Sequence, residues 1–271
     1  MHRLQIFPTA TRFSRTYHTY PSVRSIPSDV FDPVEAFATK QPVIIRGYVN
    51  SWPAISDNER AWRKGQRFQQ LGMVQVEVGR QYMDNNLQLA QVEFKEFADH
   101  VLDSLNKTTI PNQNNHHHIN TNPRIYLAQN NFDTIATLKD DVIQPAMTTM
   151  TGKKHLYRVN IWMCGDSGSE SPCHYDPFHN LLCQVFGKKR VLLFPPEFSD
   201  DLYPAHHTTQ KNTSLVDFQL PDHLLHPRFA SAQQHGIEAI LEPGDALYIP
   251  YQYWHYCTSN AASCSVNFWW L

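Results

Sequence analysis

The stretch Cys173-His174-Tyr175-Asp176-Pro177-Phe178-His179-Asn180 and its continuation, Leu181-Leu182-Cys183-Gln184-Val185-Phe186-Gly187-Lys188-Lys189-Arg190, decide how the chain is read. His174 and Asp176 stand two positions apart. In a strand, such residues share a face, so one short strand is expected to present an imidazole and a carboxylate side by side. The apolar run 181–186, a turn at Gly187 and the run Arg190–Pro196 read as two buried strands joined by a tight turn, with Lys189 opening the second. Downstream, Glu242-Pro243-Gly244-Asp245 is a turn, because Pro fixes φ and Gly supplies positive φ. Ala246–Pro250 then reads as a strand, Trp254-His255 follows, and Ser263–Trp270 reads as a closing strand.

Two imidazoles and one carboxylate (His174, His255 and Asp176) can hold one metal ion on one face and leave other positions open. That donor pattern is the facial triad of non-haem Fe(II) oxygenases. An isolated His-x-Asp is weak in a chain with 15 histidines, so the surrounding order of strands and turns carries the reading.

Those segments resemble the JmjC, or cupin-like, 2-oxoglutarate oxygenases. The likeness is to the small hydroxylase branch with the asparaginyl hydroxylase of hypoxia-inducible factor and the tRNA wybutosine hydroxylase. It extends from about Ile26 to Trp270, with Gln41–Gly47 and Trp52-Pro53 similar to the branch's opening strand and turn; it is dense over His174–Pro196 and loose over 60–150. The resemblance implies a mainly β fold with flanking helices, the double-stranded β-helix of cupins and jelly rolls. It makes His174, Asp176 and His255 the iron ligands, with 2-oxoglutarate and O2 as cosubstrates. Lys189, 15 residues after His174, matches the lysine that binds the distal carboxylate of 2-oxoglutarate, and Tyr126 the tyrosine beside it. Ser171 stands where a hydroxyl contacts the cosubstrate, and Asn180 and Asn267 match asparagines near it. A buried dicarboxylate needs a cation at its far end, which supports Lys189 independently.

The implied reaction is hydroxylation of a protein side chain, coupled to decarboxylation of 2-oxoglutarate to succinate and CO2. The alternatives are the same chemistry on a modified tRNA base or on methyl-lysine, or a cupin-like binding protein without catalysis. No Ser-His-Asp or Cys-His pattern for a protein nucleophile stands out.

Composition narrows the rest. A 271-residue chain can bury one large core, and 18 prolines against 10 glycines suit a loop-rich β architecture. No apolar run approaches the length of a membrane span, and a net charge of −2 gives no basic footprint for nucleic acid. Five cysteines without a C-x-x-C pair read as reduced thiols, and Cys173 and Cys183 as small buried hydrophobes. His116-His117-His118 falls in a polar, Asn-rich stretch that reads as a loop rather than a metal site.

The expected organisation is a leader over 1–24, an α/β entry region over 25–155 and the core β-helix over 156–271. Residues 203–235 are expected to form an insertion over the mouth of the site. The leader carries Arg3, Arg12, Arg15 and Arg24 and no acid before Asp29, the composition of a mitochondrial transit peptide; the alternative is an ordinary terminus on a cytoplasmic or nuclear protein, and either way the segment is expected to be dispensable to the fold. Within the entry region, Val34–Ala38 and Val92–Leu105 have helical apolar spacing and Val74–Val78 alternates as a strand. Thr134–Thr149 is expected to hold a further helix, capped by Asp133 or Thr134. The C-terminal helices through which several hydroxylases of the branch dimerise have no counterpart after Leu271, so a monomer is expected.

Overall fold

The computed structural model describes residues 18–69, 71–79, 88–108, 124–165, 169–206 and 210–271. Arg3, Arg12 and Arg15 of the leader and the His116–His118 run lie outside them. In chain order the strands are β1 (Ser25–Pro27), β2 (Val43–Arg46), β3 (Met73–Gly79), β4 (Gln88–Glu93), β5 (Arg124–Asn131) and β6 (Leu156–Cys164). They continue as β7 (Ser169–His174), β8 (His179–Phe186), β9 (Lys189–Phe194), β10 (Ile237–Leu241), β11 (Ala246–Ile249), β12 (Trp254–Ser259) and β13 (Ser263–Trp270). The helices are α1 (Pro33–Thr39), α2 (Phe94–Thr108), α3 (Met147–Met150) and α4 (Phe229–His235).

Nine strands make one sheet in the order β1-β2-β11-β8-β13-β6-β5-β3-β4, and four make a second, β10-β9-β12-β7. This is the two-sheet jelly roll that the sequence led us to expect. One detail differs. The strands β8 and β9, separated only by Gly187 and Lys188, do not pair with each other. They belong to different sheets, so the turn at Gly187 carries the chain across the sandwich. Gly187 has φ +67°, and a Cβ there would lie 2.1 Å from the Ala262 carbonyl oxygen, so only glycine fits this crossing.

Period-two alternation sorts the side chains of β9. Val191 and Leu193 join Ile44, Leu182 and Leu247 in the core between the sheets. Leu192 and Phe194 point the other way, to a cluster with Trp254, Phe229 and Ala232 that covers the outer face of the small sheet. Lys189 shares the parity of Val191 and therefore turns inward. A third and larger cluster packs α2, Trp62 and Phe68 on the outer face of the large sheet.

Several local expectations need correction. Val92 lies in β4, and the helix begins only at Phe94. The segment 134–149 is not one helix but a 3-10 stretch, Phe132–Asp141, and the short α3, since Pro145 between them cannot continue a helical ladder. Its cap is Asn131, whose side chain accepts from Asp133 N, rather than Asp133 or Thr134. Residues 18–24 of the leader pack on the fold: Val23 is buried and its N–H donates to the Glu238 carbonyl, and Tyr20 packs edge-on against Phe194. Only part of 203–235 lies at the mouth, where Thr213 bridges to His174. Its remainder, including Val216 and Phe229, covers the back of the small sheet.

Asp245 anchors the Pro-Gly-Asp turn. Its carboxylate accepts from Gly47 N at 3.1 Å and pairs with Arg46 at 2.5 Å, so the opening strand and the turn before β11 are clamped together.

Candidate functional site

His174 ends β7 and His255 lies directly opposite it on β12, so the small sheet alone sets the two imidazoles face to face. Their ring centroids are 4.3 Å apart. Strand alternation sends Cys173 and Trp254 to the outer cluster and leaves both histidines facing the other sheet. Asp176 reaches the same point differently from the sequence expectation. The strand stops at His174, and Asp176 sits on the turn into β8, its carbonyl accepting from Gln252 N. Its carboxylate lies 3.8 Å from His174 Nε2 and 3.6 Å from His255 Nε2.

Each histidine is oriented by the backbone. His174 Nδ1 is 2.7 Å from the Pro172 carbonyl and His255 Nδ1 is 3.0 Å from that of Tyr253. A carbonyl can only accept, so Nδ1 carries the proton and donates, which leaves both Nε2 lone pairs free to bind a metal. Burial, then the neighbouring His174, lowers the His255 pKa to about 4, keeping the ring neutral and ligand-competent. One ligand atom from each of the three residues lies within 4.8 Å of the others, so the set can hold a single metal ion.

Lys189 closes the inner end of the chamber behind this triad. It is 4% exposed, and among the described residues no carboxylate forms an ion pair with it. An uncompensated buried ammonium is costly, and an anionic ligand in the chamber would supply the missing charge. Tyr126 on β5 and Ser171 on β7 line the same chamber, hydroxyl to hydroxyl at 3.4 Å. Burial pushes the Tyr126 phenol up, so it stays a neutral hydrogen-bonding group.

Asn180 and Asn267 also line the chamber, but their amides are engaged with protein. Trp162 Nε1 and Asn160 Nδ2 both donate to Asn267 Oδ1, Asn267 Nδ2 donates to Asn180 Oδ1, and Asn180 Nδ2 donates to Asp176 Oδ2. The two asparagines thus fix the Asp176 carboxylate. Asn160 and Trp162 complete the chain and escaped the sequence reading. Asn160, Trp162 and Asn267 sit on paired strands, with Asn267 directly opposite Asn160, a register that no local pattern announces.

All five cysteines are free. Cys173 packs in the outer cluster and Cys183 against the large sheet, as expected of small apolar residues. Cys257, not singled out in the sequence, is the one of the five that lines the chamber, and burial raises its pKa to about 11.

Outside the chamber opens a cleft of about 380 Å³. Phe178 stacks on Tyr157 at 4.3 Å and on Trp269 at 5.6 Å, forming one wall. Glu77 and Glu170 line the cleft as well. Glu170 is engaged by Arg124 and the Tyr256 hydroxyl, whereas Glu77 has no ion pair among the described residues. Burial pushes the Glu77 carboxyl up. Gln129 faces the same cleft from a bulge in β5 with φ 48°, a left-handed conformation.

A model of the cupin-like domain matches residues 27–271. Among curated proteins, the chain is 32% identical over 252 residues to lysine-specific demethylase 8 of Danio rerio, covering 92% of this chain and 56% of that protein. It is 33% identical to Jumonji C domain-containing protein 5 of Drosophila melanogaster, with 88% of this chain and 57% of that protein aligned. For lysine-specific demethylase JMJ30 of Arabidopsis thaliana the identity is 33%, over 84% of this chain and 49% of the relative. The chain spans about half the length of these relatives. By the domain match and these similarities, the chain belongs to the cupin-like family of JmjC proteins.

Proposed function

We propose that this chain is an Fe(II)- and 2-oxoglutarate-dependent oxygenase that hydroxylates a protein side chain. The observation that carries the reading is one chamber lined by His174, Asp176 and His255 and by the buried Lys189, which has no acid partner among the described residues. The donor set suits Fe(II), and Lys189 suits the distal carboxylate of a bound 2-oxoglutarate. With both bound, O2 converts 2-oxoglutarate to succinate and CO2 and one oxygen atom is delivered to a substrate C–H.

The chain's own residues supply geometry. The carbonyls of Pro172 and Tyr253 lock the imidazole tautomers, and the Asn267–Asn180 chain holds Asp176. Lys189 and the hydroxyls of Tyr126 and Ser171 would orient the dicarboxylate. The cleft favours a polypeptide over RNA: Glu77, which has no ion pair among the described residues, disfavours a phosphodiester backbone, while an aromatic wall beside a carboxylate suits a cationic side chain. That same wall favours a second outcome, removal of an N-methyl group from lysine, and two of the relatives carry demethylase names. Hydroxylation of a C–H bond is the shared step: on a side-chain carbon the alcohol is the product, and on an N-methyl carbon the hemiaminal breaks its C–N bond and releases formaldehyde.

The test is succinate formation from 2-oxoglutarate by purified protein with Fe(II), ascorbate and O2, beside Asp176→Ala. Stimulation by a peptide pool, with mass spectrometry showing gain of one oxygen, supports hydroxylation; loss of a methyl group supports demethylation. No succinate together with no Fe(II)-dependent 2-oxoglutarate binding leaves a cupin-like binding protein instead.

A further inference from the structure

The charge pattern around the cleft contains one cation that the chemistry above does not use. Arg158 lines the cleft at half-buried exposure and, among the described residues, has no carboxylate partner. Arg46, Arg60, Arg67, Arg124, Arg190 and Arg228 are all paired to acids, so Arg158 differs from most of the arginines described.

Its placement is built into the strand. Trp269 pairs with Arg158 and Trp270 with Leu156, which leaves Tyr157 as the extra residue of a β-bulge. A bulge re-aims side chains, and here both Tyr157 and Arg158 line the cleft although they are consecutive. The guanidinium carbon sits 5.4 Å from the Tyr157 ring centroid, and Tyr157 is itself braced by Phe178 and Trp269. A guanidinium resting on a braced ring loses little freedom when it takes up a planar anion. Tyr157 and Arg158 also line a second depression of about 360 Å³, shared with Phe132, Phe268 and Lys139, the last held in an ion pair by Asp133 of the same lining. They therefore form the ridge between the cleft and the place where the neighbouring residues of a bound polypeptide would rest.

We infer that Arg158 is a specificity-determining residue: it reads a carboxylate side chain of the substrate polypeptide next to the cationic residue that enters the cleft. This rests on the protein-substrate reading above. Glu77 and Arg158, two charges of opposite sign that line one cleft and have no ion-pair partner among the described residues, then form a complementary template for a cation followed by an acid.

The test is binding of synthetic peptides with a central lysine or arginine, flanked on one side by Asp, phosphoserine, Ala or Lys, to wild type, Arg158→Glu and Arg158→Lys. A uridine oligonucleotide is included as a competing polyanion. Wild type should prefer Asp-flanked over Lys-flanked peptides by about five-fold, the range of partly exposed charge pairs. Arg158→Glu should invert the ratio, and Arg158→Lys should retain its sign, which shows that the variants remain folded and competent. Preference for phosphoserine over Asp would overturn the carboxylate assignment. Equal ratios in wild type and Arg158→Glu overturn the Arg158 inference and leave the protein-substrate reading intact. Failure of every peptide to bind, with or without binding of the oligonucleotide, overturns both.

Discussion

Replacing Asn267 with alanine removes the middle of the chain that ends on Asp176. Asn160 Nδ2 at 3.2 Å and Trp162 Nε1 at 2.8 Å would lose their acceptor, and Asn180 Oδ1 would lose its donor at 3.0 Å. Asn160 is fully buried and Asn180 nearly so, while Trp162 is partly exposed and can reach water. Counting two stranded buried groups at about 1–3 kcal/mol each gives a loss of about 2–6 kcal/mol in the metal-free protein. Asn180 would also be free to swing away from Asp176, and loss of such support lowers metal affinity by about 10–100-fold. Denaturant unfolding of the apo protein and calorimetric titration with Mn(II) measure the two effects. The double variant Asn180→Ala/Asn267→Ala should cost less than the sum of the singles, by about 1 kcal/mol or more, because the second change breaks contacts already lost. Lower stability with wild-type Mn(II) affinity and additive singles would refute the chain as a positioning device for Asp176.

Further expectations concern other parts of the molecule. Lys189→Met keeps the volume and removes a buried cation that has no acid partner among the described residues, so the apo protein should gain stability, by about 1–3 kcal/mol in thermal or denaturant unfolding. Gly187→Ala forces a side chain onto the Ala262 carbonyl at φ +67° and should cost about 2–4 kcal/mol in the same assay, because the obstacle is backbone. Burial lowers His255 and His179 from the usual 6.5 to about 4, with His174 and Lys40 adding respectively. Between these values the unfolded chain takes up protons that the folded chain refuses. Apo stability should therefore be full above pH 6.5 and fall as pH drops to 4, with an uptake on unfolding approaching two protons, as read from the pH dependence of denaturant midpoints.

The parts of the site that follow a local period were legible in the sequence. Alternation along β9 turns Lys189 inward, and the Pro-Gly-Asp turn ahead of β11 and the closing strand β13 stand where the patterns placed them. What escaped depends on longer range. Two apolar runs around a tight turn ordinarily make a hairpin, but here the turn joins two sheets, a choice made by which strands come later to pair with each. Asp176 shares spacing with His174 but not a strand, because the chain leaves β7 to enter the other sheet. The mouth gathers Glu77, Arg158, Glu170 and Trp269 from four separate strands, so no single segment carried its charge pattern. Glu77, on the more polar side of an alternating strand, was the one among them with a readable hint.

The most direct measurement is anaerobic titration of 2-oxoglutarate into the purified chain with and without Fe(II), for wild type, Asp176→Ala and Lys189→Met. Wild type should bind one 2-oxoglutarate per chain only when Fe(II) is present, and binding should be weakened at least about 100-fold in both variants, since each removes a charged anchor from a buried site. Binding that ignores Fe(II), or that survives either substitution unchanged, would contradict the oxygenase reading.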